Sequence, residues 1–275
     1  MVQATQGTEE TVQRSPGTRM LVLLCILLIF VSLAFILRGL VFTIRNVKVH
    51  GISQVSWQDV AISAGLGPAS NYFNLDEEHI REGINSNRYL IYQKMEKVFP
   101  NTLVLNVRER QPSARINYIG IAYIMADDGM ILERTKDLTR FSDLMTVSGM
   151  AIGDIRVGNA PLSTRFSQVD VCVDIIRELG QQGFLNQIRD LNVANPASIY
   201  MTSVDGYSIH IGDAKDLQAK IGTVRAVLQA LRKGGYPIGV IEATVPGEAT
   251  YRPDSVSRMD LPETSIFEQK RLISL

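Results

Sequence analysis

Cysteine, histidine and tryptophan are scarce in this chain, and the scarcity narrows the possible functions. The 275 residues include two cysteines, three histidines and one tryptophan. Cys25 lies in the most apolar stretch and Cys172 far along the chain among valines, the setting of a small core residue, so we expect no disulfide. His50, His79 and His210 are isolated and lack the neighbouring ligands that zinc needs. The sequence predicts neither a metal site nor a cofactor.

Excess charge of either sign is also lacking. The 28 basic and 28 acidic residues cancel, which argues against a nucleic-acid-binding protein. There is no Gly-Lys pair, no Gly-x-Ser-x-Gly motif and no serine with a lysine three positions later, so phosphate-binding loops and the common serine nucleophiles have no support. The Asp-Gly sequences at Asp127-Asp128-Gly129 and Asp205-Gly206 are typical of tight turns. We therefore predict a protein that is not an enzyme.

One long hydrophobic run is present near the N-terminus. From Met20 to Leu37 there are 18 consecutive uncharged residues, which as a helix would reach about 27 Å. The pattern predicts a transmembrane helix over residues 20–41, preceded by a disordered tail over residues 1–19. A cleaved signal peptide is the alternative, since Ser32-Leu33-Ala34 loosely fits a cleavage site, although the apolar run continues past it.

Residues 42–110 show the pattern of a small β-α-α-β-β module. The β-branched run Ile44–Val49 predicts a strand that ends at Gly51. Ser56 and Asp76 are placed to begin two helices, the first of which closes at the glycines and proline of residues 65–68. Two strands are predicted to follow, over residues 89–98 and 103–109.

Residues 111–252 alternate between short strands and two amphipathic helices. Asp127-Asp128-Gly129 predicts a hairpin turn, and Pro112 suits a strand end or a junction between modules. Helices are predicted over residues 165–180 and 214–233. The second has an apolar stripe made of Leu217, Ile221, Val224, Leu228 and Leu231. We predict an α+β fold whose second module is a mainly antiparallel β-domain, ending in a strand over residues 248–252 and a flexible tail over residues 253–275.

Several sequence fragments together resemble a known family. They are Ile44-x-x-Val47-x-Val49-x-Gly51, Ala64-Gly65-Leu66, Asn71-Tyr72-Phe73-Asn74-Leu75-Asp76, Phe99-Pro100-Asn101-Thr102-Leu103 and Val107-Arg108-Glu109-Arg110-Gln111-Pro112. In this order and spacing they resemble the POTRA domain of the DivIB/FtsQ family, which consists of bitopic bacterial cell-division proteins. The resemblance extends over residues 20–252.

The resemblance implies a function and a site. It implies a single-pass scaffold in the plasma membrane at the division septum, with a cytoplasmic N-terminus and extracytoplasmic domains, that supports septum assembly and septal peptidoglycan synthesis. The implied partners are small bitopic coiled-coil division proteins of the FtsB/DivIC and FtsL classes, with no small-molecule substrate. The family binds them through its late helix and final strand. The matching residues here are Leu231, Glu248, Ala249, Thr250, Tyr251 and Arg252.

Two alternatives stay open at this point. One is a membrane-anchored cell-wall enzyme, and the other is a POTRA-bearing export component. Within the implied site, Tyr251 is the residue we expect to anchor a partner, because aromatic side chains carry a large share of interface energy.

Overall fold

The chain divides into two compact units in a computed structural model that describes residues 16–68, 70–165 and 167–254. The first unit comprises the residues up to Asn87 together with Tyr92–Arg108, and the second comprises Arg88–Ile91 together with the residues from Glu109 onward. Most of the two predicted tails, over residues 1–19 and 253–275, lies outside the described residues.

The apolar run near the N-terminus is helical. Helix α1 spans Pro16–Val41, and its large apolar side chains from Met20 to Ile36 are exposed. Within the described ranges, no helix combines the length and the apolar character that a membrane crossing demands. The membrane span over residues 20–41 therefore stays a prediction from the sequence.

The first unit has the predicted β-α-α-β-β order. After α1 come β1 (Asn46–His50), α2 (Trp57–Ser63), α3 (Glu77–Ser86), β2 (Leu90–Val98) and β3 (Thr102–Glu109). The strands form a sheet in the order β1-β3-β2, with β1 parallel to β3. Alternate residues of β3 are fully buried, as are residues of both helices. These are Leu103, Leu105 and Val107 of the strand and Val60, Ile80 and Ile84 of the helices.

Local capping explains where the two short helices begin. The Ser56 hydroxyl accepts a hydrogen bond from the Asp59 N–H at 3.1 Å, and the Asp76 carboxylate accepts one from the Glu78 N–H at 3.0 Å. Both side chains satisfy donors that the first turn leaves without an intrahelical partner. The predicted helix starts are confirmed.

Two glycines permit close backbone contacts in the first unit. Gly51 ends β1 with a positive φ of 90°, and a Cβ there would lie 1.8 Å from the Val107 carbonyl oxygen. Gly83 lies within α3, where a Cβ would come 2.1 Å from the Ser63 carbonyl oxygen. The helices α2 and α3 can therefore pack this closely only because residue 83 has no side chain.

The second unit is built on a nine-stranded mixed sheet. Its strands are β4 (Pro112–Tyr118), β5 (Ile121–Ala126), β6 (Ile131–Thr135), β7 (Met145–Ser148), β10 (Ile188–Asn192), β11 (Ile199–Ser203), β12 (Ser208–Gly212), β13 (Gly239–Glu242) and β14 (Thr250–Pro253). Strands β8 (Ile152–Asp154) and β9 (Leu162–Ser163) form a separate two-stranded sheet. The order in the large sheet is β14-β13-β12-β11-β10-β7-β4-β5-β6. Strand β7 is parallel to β4 and β10, and β12 is parallel to β13, whereas the other neighbouring pairs are antiparallel.

Two helices cover one face of this sheet. They are α4 (Gln168–Gln181) and α5 (Leu217–Gly234). Their apolar stripes join the inward residues of the strands in one core, and the predicted stripe of α5 is buried from Ile221 to Leu231. Cys172 is fully buried in that core, and burial raises the pKa of its thiol to about 12. The interpretation of Cys172 as an inert core residue is confirmed.

The buried side chain of Gln168 connects three segments of the chain. Its amide oxygen accepts hydrogen bonds from the Ala151 N–H at 2.9 Å and the Ser163 hydroxyl at 2.7 Å. Its amide nitrogen donates to the carbonyl oxygens of Gly149 and Val193 at 3.1 and 2.8 Å. The fully buried amide of Gln168 is thus hydrogen-bonded through both its oxygen and its nitrogen, as buried polar groups generally are.

Several predicted boundaries were wrong by a few residues. Helix α4 begins at Gln168 rather than at residue 165, because Ser167 has a positive φ of 74°. Helix α5 begins at Leu217 rather than at residue 214, because Asp216 adopts a left-handed conformation. The last strand begins at Thr250 rather than at Glu248. Strands β4 and β7 are not among those predicted, and β7 depends on neighbours distant in sequence.

Candidate partner-binding site

Strand β14 forms one edge of the nine-stranded sheet. It pairs with β13 and has no second neighbour among the described strands. The register pairs Val240 with Arg252, Ile241 with Tyr251 and Glu242 with Thr250. One side of the strand therefore offers backbone groups to solvent.

The alternation of hydrogen-bonded and non-hydrogen-bonded residue pairs between β13 and β14 identifies which backbone groups of β14 face outward. The N–H of Asp254 donates to the carbonyl oxygen of Ile238 at 3.2 Å, so these two residues form a hydrogen-bonded pair. Such pairs alternate with non-hydrogen-bonded pairs along an antiparallel ladder. Arg252 and Thr250 therefore turn their backbone groups toward β13, whereas the N–H and C=O of Tyr251 point to the open edge. Pro253 has no N–H and sits in the outward phase, where an edge strand tolerates proline.

The side chains of β14 alternate between the two faces of the sheet. Tyr251 lies on the face of Ile241, which belongs to the core under the helices, and Thr250 and Arg252 lie on the opposite face. The phenol of Tyr251 donates to the Pro237 carbonyl oxygen at 2.5 Å, and its ring lies edge-on to that of Tyr236 with centroids 6.3 Å apart. Burial, together with Tyr207, Asp254 and Tyr236, raises the pKa of Tyr251 to about 12. The ring is thus held in place and only partly covered.

A groove of about 900 Å³ runs along α5 beside β14. Helix α5 contributes a row of small residues to its floor, and Tyr236, Ala249 and Tyr251 close it on the strand side. The small residues leave the helix backbone accessible to a partner. They are Ala219, Gly222, Thr223, Ala226 and Ala230.

The structure brings some of the predicted site residues together and separates the others. Leu231, Ala249 and Tyr251 all line the groove, with Leu231 and Ala249 themselves buried. Glu248 is exposed in the turn before the strand, and Thr250 and Arg252 are exposed on the other face. Sequence reasoning missed Tyr236 and the small face of α5, for which the available signal was the i, i+4 recurrence of Gly222, Ala226 and Ala230 opposite the apolar stripe.

A row of polar side chains crosses the other face of the sheet next to this edge. His210 contacts the Glu242 carboxylate through Nδ1 at 2.8 Å and the Ser198 hydroxyl through Nε2 at 3.0 Å. The ring of Tyr200 stacks on the imidazole, with centroids 4.3 Å apart. Hydroxyl, imidazole and carboxylate are also the groups of a hydrolase triad. Here His210 is directly opposite both Tyr200 and Glu242 in the ladder, so cross-strand pairing accounts for the arrangement.

The described residues give no sign of a metal centre. Within residues 16–68, 70–165 and 167–254, no three histidine, cysteine, aspartate or glutamate side chains are grouped so as to hold a metal ion. His50 and His210 lie on strands β1 and β12.

Comparisons with known proteins agree on one family. Residues 42–110 match the FtsQ-type POTRA domain. The chain is 24% identical over 207 residues to cell division protein DivIB of Clostridium tetani, covering 74% of this chain and 76% of the relative. It is 22% identical over 194 residues to cell division protein FtsQ of Syntrophotalea carbinolica, covering 70% of this chain and 67% of the relative.

A solved structure of the major extracytoplasmic domain of DivIB from Geobacillus stearothermophilus also matches, at 16% identity. It covers 46% of this chain and 96% of that domain with a TM-score of 0.31. The FtsQ-type POTRA domain over residues 42–110 and the similarity of more than two thirds of the chain to relatives named DivIB and FtsQ together support the DivIB/FtsQ family of cell division proteins.

Proposed function

We propose that this protein is a non-enzymatic, membrane-anchored scaffold of the division machinery that binds small bitopic coiled-coil proteins of the FtsB/DivIC and FtsL classes. In this role it supports septum assembly and septal peptidoglycan synthesis. One observation carries the proposal: β14 is an open sheet edge, and the outward backbone groups of Tyr251 lie beside an apolar groove.

The edge and the groove suit two parts of one partner. An extended segment can add to β14 as a further strand, with the Tyr251 N–H and C=O supplying backbone hydrogen bonds. A helical segment of the same partner can lie in the groove, because the small residues of α5 allow two helices to approach closely. Tyr251 takes part in both contacts, since its backbone faces the edge and its ring faces the groove.

Membrane anchoring by residues 20–41 is part of the proposal. It is supported by the 18 uncharged residues from Met20 to Leu37 and by the exposed apolar side chains of α1. We propose a cytoplasmic N-terminus and extracytoplasmic units at the division septum. An impermeant thiol reagent should label a cysteine placed at Tyr200 in intact cells, and protection of that cysteine would contradict the topology.

Partner binding can be tested at a single residue. In Tyr251→Ala the ring is lost but the outward N–H remains, and we expect at least a tenfold weaker affinity, the equivalent of about 1.4 kcal/mol. In Tyr251→Pro the outward N–H is lost as well, and we expect a further severalfold loss, because one added-strand hydrogen bond contributes about 1 kcal/mol. The measurement is titration of the full-length protein in nanodiscs with the FtsB/DivIC-like protein of the same organism.

Arg252→Ala is the matched control. Arg252 is exposed on the same strand but points to the opposite face, and its backbone is paired with β13. We expect its affinity to stay within about twofold of the unchanged protein. If Tyr251→Pro folds and binds as tightly as Arg252→Ala, the edge of β14 is not the partner site.

A further inference from the structure

Four aromatic rings cluster on the surface of the first unit. The ring of Phe42 lies 4.9 Å from that of Phe73 and 5.5 Å from that of Phe99, measured between centroids. Tyr72 contacts both Phe73 and Phe99, at 5.4 and 6.3 Å. Despite these contacts Phe73 is 54% exposed and Phe99 is 69% exposed. We call these four residues the aromatic cluster.

Three separate segments build the cluster, and backbone hydrogen bonds hold them together. The Tyr72 N–H donates to the Phe42 carbonyl oxygen and the Ile44 N–H to that of Ser70, both at 2.8 Å. The Arg45 N–H donates to the Asn101 carbonyl oxygen at 3.0 Å. The loop before α3 and the turn between β2 and β3 are therefore fixed to the chain where it leaves α1.

The position of Phe42 in the chain determines what the cluster faces. Phe42 directly follows Val41, the last residue of α1. If α1 is the membrane anchor of the proposed function, Phe42 lies where the chain leaves the hydrocarbon core. The polar layer of a bilayer leaflet is about 5–7 Å thick. Rings whose centroids lie 4.9 and 5.5 Å from that of Phe42 consequently lie within or beside this layer, whatever the tilt of the unit.

We propose that the aromatic cluster is a membrane-contact surface, which rests on the membrane anchoring proposed above. Phe73 and Phe99, joined by the exposed Val98, insert into the headgroup region of the phospholipid leaflet from which α1 emerges. Aromatic side chains favour this layer, and their insertion removes exposed apolar surface from water. The contact restrains the first unit against the membrane surface at three segments rather than at one flexible connection.

The test measures the depth of a tryptophan placed in the cluster. Trp57 is the only tryptophan, so Trp57→Phe provides a silent background. Phe99→Trp, and separately Phe73→Trp, are introduced in the full-length protein and reconstituted in phosphatidylcholine and phosphatidylglycerol vesicles with brominated acyl chains. His50→Trp is the control, because His50 is exposed at the far end of β1, about 13 Å along the strand from Asn46.

We expect brominated lipid to quench the tryptophan at 99 or 73 at least twofold more than the tryptophan at 50, with a blue-shifted emission. Quenching at 99 and 73 equal to that at 50 would overturn the membrane contact. A blue shift of the tryptophan at 99 that appears only after a partner protein is added would overturn the membrane contact too, in favour of a protein-docking surface.

Flotation of the vesicles separates the membrane anchor from the membrane contact. Protein that fails to float refutes the anchor and the contact with it, whereas protein that floats without quenching refutes only the contact.

Discussion

Proline substitutions at two neighbouring positions of β14 should lower the stability by clearly different amounts. Because hydrogen-bonded pairs alternate along β13 and β14, the Thr250 N–H points toward Glu242 on β13 and the Tyr251 N–H points toward the open edge. Thr250→Pro removes a hydrogen bond and leaves the Glu242 carbonyl without its partner. Relative to Thr250→Ala this should lower the free energy of unfolding by about 2–3 kcal/mol. Tyr251→Pro, compared with Tyr251→Ala, removes no intramolecular hydrogen bond and should cost less than about 1 kcal/mol.

Cys172 provides the assay for the second unit. It is fully buried and, once Cys25→Ser removes the other thiol, it reacts with a maleimide only when the unit opens. Labelling across a urea series gives the unfolding midpoint of each variant in detergent micelles. Equal losses of unfolding free energy for the two proline variants, each compared with its alanine variant, would refute the assignment of which β14 amides face β13. The outward Tyr251 N–H, on which strand addition depends, would be refuted with it.

Three further outcomes are expected. Gly83→Ala should destabilise the first unit by about 2 kcal/mol or more, because the alanine Cβ would lie 2.1 Å from the Ser63 carbonyl oxygen. Trp57 fluorescence across a urea series measures the loss of stability. The control Gly67→Ala should be close to neutral, because the space around residue 67 is open. Gln168→Met should lower the stability of the second unit by about 3–5 kcal/mol, because the fully buried Gln168 side chain loses its hydrogen bonds to Ala151, Ser163, Gly149 and Val193. Gln181→Met, exposed on the same helix, should leave the Cys172 labelling midpoint unchanged. The folded thiol of Cys172 has a pKa raised from 9.0 to about 12, so its contribution is fully present below pH 9, where the thiol is neutral in both states. It is lost as the pH rises from 9 to 12, by about 1.4 kcal/mol per pH unit, because only the unfolded thiol ionises; Cys172→Ala should flatten this part of a denaturation profile followed by circular dichroism.

Features that depend on near neighbours in the chain could be predicted from the sequence. The Ser56 and Asp76 caps satisfy backbone donors two or three residues away, so the side chain and its partner are visible together in the sequence. The order of elements in the first unit and the apolar stripe of α5 follow from hydrophobic periodicity for the same reason. The final strand and the position of Tyr251 on it were predicted as well, although its start was two residues too early.

Features that join distant segments were decided only by the tertiary structure. Which amide of β14 faces outward depends on the register with β13, because a shift of one residue exchanges the two sides of the strand. The small face of α5 becomes a groove only when Tyr236 and Tyr251 close it from other elements. The aromatic cluster likewise unites rings from residues 42, 72, 73 and 99, which the sequence holds up to 57 positions apart. Periodicity shows which face of a single element is apolar, but the pairing of separate elements depends on packing across the whole unit.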